Sequence, residues 1–109
     1  QTRETVMEDI TVQELKQRLD AGENLHIVDV REEWEYDEYN IGAELIPLPH
    51  LPQRINELQD IKNEEVILHC RSGARSGQAK DFLSRRGFTN VRNLLGGMVE
   101  WQKQFGNEQ

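Results

Sequence analysis

Short β-branched runs and segments of helical periodicity alternate along the whole chain. Thr11 followed three residues later by Glu14 has the form of a capping box, and Val12, Leu15 and Leu19 then share one helical face before Gly22 stops it. Leu25-His26-Ile27-Val28-Asp29-Val30 reads as a buried strand of a parallel sheet. Glu32 to Tyr39 predicts a short acidic helix anchored by Trp34, broken by Gly42. Leu45-Ile46-Pro47-Leu48 predicts another strand. Pro52, at a first helical position, opens a segment in which Ile55 and Leu58 share a face, and Asp60 to Glu64 is a polar turn. Val66-Ile67-Leu68-His69 is the clearest strand, running apolar until His69-Cys70 and a loop containing Gly73. The spacing of Ala79, Phe82 and Leu83 predicts a helix from Ser76 to Arg86, ended by Gly87. Val91 to Leu94 is a last strand, and Met98, Trp101 and Phe105 give the face of a closing helix. The alternation predicts an α/β domain with a largely parallel central sheet and helices on both faces.

Length and composition narrow the picture to one folded unit. The 109 residues suit one domain, expected over 1–109 with a flexible lead at 1–9 and a tail at 106–109. With 36% hydrophobic and 30% charged residues, the chain has a modest core and a well-solvated surface. A formal charge of −7 repels phosphate backbones and anionic bilayers, so neither nucleic acid nor membrane is an expected partner. No apolar run approaches the roughly 20 residues of a membrane span, and the start lacks the apolar core of a signal peptide. The single cysteine excludes an internal disulfide and makes a reducing compartment, the cytoplasm, the easier expectation.

That cysteine heads the stretch with the most chemistry, His69-Cys70-Arg71-Ser72-Gly73-Ala74-Arg75-Ser76. Between a strand end and a helix start, free backbone N–H groups and the helix dipole favour an anion. Arg71 and Arg75 add positive charge, and the small residues Ser72, Gly73 and Ala74 let the loop curl with its amides inward. A thiolate nucleophile belongs in such a place. The competing reading is a buried, inert cysteine at a strand end; two arginines, a glycine and a helix start in one loop weigh against it. Arg75 is the better placed of the two arginines to face the loop, whereas Arg71 could equally be a solvated surface charge. A zinc site from His26, His50, His69 and Cys70 finds no Cys-x-x-Cys pair to support it. The chemistry calls for no cofactor and no metal. The carboxyl ends of parallel strands hold the site in open α/β sheets, so Asp29 and Arg31 join the loop if their strand is its neighbour.

Several motifs, in order, give the chain its resemblance to the rhodanese family from about Ile10 to Trp101. Ile27-Val28-Asp29-Val30-Arg31-Glu32 resembles the family's Asp-Val-Arg-Glu strand end. Ile41-Gly42-Ala43 with Ile46-Pro47-Leu48 resembles its Gly-Ala and Ile-Pro segment, and Val91 to Met98 through Trp101 its closing signature. Cys70 to Arg75 resembles the active loop. The resemblance implies a sulfurtransferase in which Cys70 takes sulfane sulfur from a small anionic donor such as thiosulfate, holds it as a persulfide and passes it to cyanide, a thiol or a protein. It further implies that Arg71, Ser72, Gly73, Ala74 and Arg75 bind substrate, and that Asp29, Arg31 and Ser76 support the loop. For Asp29 and Arg31 a plain structural ion pair is an equal reading, and Trp34, Met98 and Trp101 read best as core or pocket wall. Tyr39-Asn40-Ile41-Gly42-Ala43 departs from the family's Gly-His-Ile pattern by lacking the histidine and being one residue shorter. Leu45 to Leu58 most resembles domains fused to adenylyltransferases that activate sulfur carriers, which implies a protein acceptor.

Two alternatives come from other classes. Cysteine-dependent phosphatases share the His-Cys strand end and the anion loop, but resemble Cys, five residues and Arg, whereas four residues separate Cys70 from Arg75. A non-catalytic binding module of the same fold would have no need of the cysteine.

Overall fold

The computed structural model describes residues 9–106; the expected lead before Asp9 and the tail after Gly106 lie outside the described residues. The elements run in the order α1 (Val12–Asp20), β1 (His26–Asp29), α2 (Glu33–Glu38), β2 (Glu44–Leu45), α3 (Leu51–Arg54), β3 (Val66–His69), α4 (Ala74–Arg85), β4 (Val91–Asn93) and α5 (Gly97–Phe105). Short 3-10 turns, Leu48–His50 and Ile55–Ile61, flank α3. The sheet has the order β2-β1-β3-β4 with every pair parallel, and Asp29 lies opposite His69. The α/β class with a parallel sheet is therefore observed as the periodicity predicts.

Consecutive strand residues point to opposite sides, and helices cover both, so the sheet is buried on both faces. Val28 and Leu68 pack with Leu51 of α3, Leu58 of the second 3-10 turn, and Ala79 and Leu83 of α4. Ile27 and Ile67 pack on the other side with Val12 and Leu15 of α1 and Met98 and Trp101 of α5. Among the described residues no helix is long and apolar enough to cross a membrane.

Four local expectations are corrected. The Thr11 hydroxyl accepts from the Glu14 amide at 3.1 Å, but the Glu14 carboxylate is drawn to Arg92, so only the first half of the capping box forms. The predicted strand at Leu45–Leu48 is cut to two residues by Pro47, which lacks an N–H, although the Ile46 and Leu48 amides still reach the Asp29 and Val30 carbonyls. Trp34 does not anchor α2: it is 59% exposed, and the helix turns Glu35 inward instead. α4 begins at Ala74, two residues before the predicted start at Ser76, with Gly73 at a φ of +110° as its cap. That early start leaves only Arg71 to Gly73 between Cys70 and the helix.

Candidate active site

Cys70 follows the last residue of β3, at the carboxyl edge of the sheet, and is buried. Its Sγ receives the Gly73 amide at 3.1 Å, the Ser76 amide at 3.3 Å and the Ser76 hydroxyl at 3.4 Å. Burial pushes the thiol pKa up. Hydrogen bonds from the Ser76 hydroxyl and the Ser76, Gly73 and Ser72 amides outweigh it, holding the thiol below its ordinary value.

The loop takes this shape because its carbonyls are gripped from outside. The Met98 and Val99 amides, in the first turn of α5, donate to the carbonyls of Cys70 and Arg71, both at 2.9 Å. With those carbonyls turned toward α5, the loop amides turn toward sulfur. The approach requires a bare backbone: a Cβ at Gly97 would lie 2.6 Å from the carbonyl oxygens of Cys70 and Arg71. On the other side Asn93, the last residue of β4, donates from Nδ2 to the Gly73 carbonyl at 3.2 Å and accepts from the Ser76 hydroxyl. One hydroxyl proton is thus shared among Cys70 Sγ, Asn93 Oδ1 and the Gly73 carbonyl.

The structure brings most of the predicted site residues together but divides their tasks. Ser76 touches the sulfur directly, Ser72 and Gly73 offer amides, and Ala74 opens α4. Arg75 turns to Glu35, with two parallel bonds of 2.8 and 2.9 Å. That contact holds the Glu35 carboxyl down to about 2 against the opposing effect of burial, and the Glu32 amide adds a further bond. Arg71 is exposed and lines a groove next to the loop. Asp29 and Arg31 form a buried ion pair at 2.7 Å, and Arg31 also donates to the Tyr39 carbonyl. They stand beside the strand that carries Cys70 and do not contact its sulfur. Of the aromatic and methionine positions, Met98 and Trp101 are core, while Trp34 is wall of the groove.

His69 is fully buried beside this ion pair, its Nε2 3.8 Å from Asp29. Burial lowers its pKa to about 4, opposed by Asp29, so the ring is neutral at pH 7. Three contributors escaped sequence reasoning. Glu35 sits in an acidic run with nothing to set it apart, Asn93 carries no titratable group, and the grip of α5 on the loop is a backbone contact. The Gly96-Gly97 pair was the visible trace of that grip.

A cysteine ringed by amide donors at the carboxyl edge of a parallel α/β sheet is placed where its thiolate form is favoured. The chain belongs to the rhodanese-like domain family, whose model matches residues 11–104. It is 39% identical over 94 residues to YrkF of Bacillus subtilis, a candidate sulfur carrier protein, covering 85% of this chain and 50% of YrkF. The chain thus spans about half the length of that relative. It is 35% identical over 99 residues to a sulfurtransferase of Allochromatium vinosum, covering 90% of this chain and 91% of that one. The crystal structure of SSP1007 from Staphylococcus saprophyticus superposes with a TM-score of 0.78 at 38% identity, covering 87% of this chain and 93% of that chain.

Proposed function

We propose that the chain is a sulfurtransferase that carries sulfane sulfur as a persulfide on Cys70. The observation that carries this reading is the convergence of the Gly73 and Ser76 amides and the Ser76 hydroxyl on Sγ. In the first step the Cys70 thiolate attacks the outer sulfur of a donor such as thiosulfate. The new Sγ–S bond forms as the donor's S–S bond breaks, and sulfite leaves with the electron pair. In the second step a thiophilic acceptor, cyanide, a thiol or a protein thiol, attacks that outer sulfur and the pair returns to Cys70 Sγ as thiolate. Both steps leave a negative charge inside the ring of amides, where fixed dipoles stabilise it without reorganisation. Arg71, exposed next to Cys70, is the cation available to an incoming anionic donor. Arg75 acts by locking Glu35 under the loop, and Asp29 and Arg31 brace the neighbouring strand end.

The placement of Arg75 also weighs against phosphoryl transfer. A phosphatase needs its loop arginine to grip the phosphate oxygens, and here that guanidinium is spent on Glu35. The test is incubation with thiosulfate followed by mass spectrometry. A one-sulfur gain that cyanide removes and Cys70→Ala abolishes is expected; aryl phosphate turnover with no cyanide-labile sulfur would overturn the reading.

A further inference from the structure

Beside the Cys70 loop lies a groove of about 250 Å³, lined by Arg71, Met98, Val99, Gln102, Trp34 and Glu38 among others. It is smaller than the roughly 300–1,000 Å³ typical of pockets that enclose a small-molecule ligand, and suits one or two side chains of a larger partner. Its rim is unusual for this chain: Trp34 is 59% exposed and Val99 49% exposed, two of the three large apolar side chains so open among the described residues. An exposed tryptophan is a strong docking anchor, because it buries a large area with little loss of conformational freedom. The rim begins one residue from the nucleophile, since the Val99 amide is bonded to the Arg71 carbonyl. The outer side of the rim is acidic. Glu33, Asp37 and Glu38 are exposed on α2 around Trp34, and none is held in a salt bridge among the described residues.

We propose that this groove docks the protein segment that brings the sulfur acceptor to Cys70, and that the segment is a cysteine flanked by an apolar residue and by lysine or arginine. The inference rests on the sulfurtransferase reading and adds the partner's chemistry to it. An apolar side chain covers Trp34 and Val99, basic side chains face the α2 carboxylates, and the cysteine lies over Arg71. There the acceptor thiolate attacks the outer sulfur of the persulfide; the Sγ–S bond breaks, the pair returns to Cys70, and the acceptor leaves as a persulfide.

The experiment uses two synthetic peptides, each with one cysteine beside a leucine, flanked by lysine and arginine in one and by glutamate in the other. Chain loaded with thiosulfate and freed of excess donor should pass sulfur to the basic peptide about tenfold faster, a preference that shrinks as salt screens the charges. The pair Asp37→Lys/Glu38→Lys should remove most of that preference, Trp34→Ala should slow transfer to both peptides several-fold, and both changes should leave discharge by 2-mercaptoethanol unchanged. Equal rates for the two peptides, or a Trp34→Ala variant slowed equally toward peptide and 2-mercaptoethanol, would overturn the proposal. Calorimetric titration of unloaded chain with serine-substituted peptides reads docking without sulfur chemistry. The basic peptide should bind at least fivefold more tightly than the acidic one, a margin that Asp37→Lys/Glu38→Lys removes, while Trp34→Ala weakens both; no difference sinks the docking surface even where loading succeeds. Failure to load sulfur, with the titration preference intact, sinks the sulfurtransferase reading and leaves the surface standing.

Discussion

At the scale of single residues, the Cys70 sulfur sits among several donors, and the donors can be removed one at a time. Ser76→Ala deletes the hydroxyl but keeps the amide at 3.3 Å. Losing a bond worth about 1 kcal/mol should slow alkylation of Cys70 at neutral pH about fivefold and move its pH midpoint upward. Measured against iodoacetamide over a pH series, an unchanged profile would show that the hydroxyl does not serve the sulfur. Arg75 and Glu35 call for a different experiment. Arg75→Met strands the Glu35 carboxylate in a buried place, at a cost of about 2 kcal/mol, kept low because Arg75 is 32% exposed. Adding Glu35→Gln should restore most of the loss, and urea unfolding of the two single variants and the double variant reads the coupling directly. Additive losses would mean that the pair does not act as a unit.

At the scale of elements, α5 is as much a part of the loop as the loop itself. Gly97→Ala should displace the Cys70 and Arg71 carbonyls, because a Cβ there meets both at 2.6 Å and the φ of +57° strains any side chain. Sulfur loading should fall at least tenfold and stability by more than about 2 kcal/mol. Gly42→Ala is the control: its φ is +85° but its Cβ would meet nothing within 4 Å, so only the backbone strain of about 1 kcal/mol remains. Thermal melts and thiosulfate loading of the two variants distinguish these outcomes. The elements themselves were legible wherever one period dominated: β1, β3, α1 and α5 lie where apolar spacing puts them. Reading failed where a single residue had two uses. Trp34 looks like an anchor by composition, yet the helix buries Glu35 because Arg75, forty residues away, waits for it. The start of α4 was missed because Gly73 serves both as turn residue and as cap, and pattern alone favours the later position at Ser76. The cysteine and its amide ring were readable, since strand end, small residues and helix start are all local; the Asn93 and Gly97 contacts are long-range, and of these only the Gly96-Gly97 pair left a mark in the sequence, without showing which loop it serves.

At the scale of the whole molecule, stability should fall with acid in two stages. His69 is buried and neutral with a pKa near 4, below the ordinary value of 6.5. The unfolded chain therefore binds the extra proton first, and the stability His69 contributes, full above about pH 6.5, erodes as pH falls toward 4. Glu35 and Glu65 are held near 2, by Arg75 and by Arg18 with Arg92 respectively. Their contribution is full above the ordinary carboxylate range and is lost as pH falls from there toward 2. Melting temperatures from pH 8 to pH 2 should show an early decline that His69→Phe removes and a late one that it leaves in place. A variant that keeps the early decline would place its origin elsewhere.

The sheet edges have a consequence for how copies of this chain meet one another. At one edge β2 pairs over two residues before Pro47, and at the other β4 spans three, with Ile10 bridging onto Leu94 at its end. Among the described residues neither side offers a long row of unpaired amides and carbonyls for a second molecule to extend. The folded chain should therefore resist strand-by-strand association, so that any growth of intermolecular β-structure on heating tracks the unfolded population and not the native one.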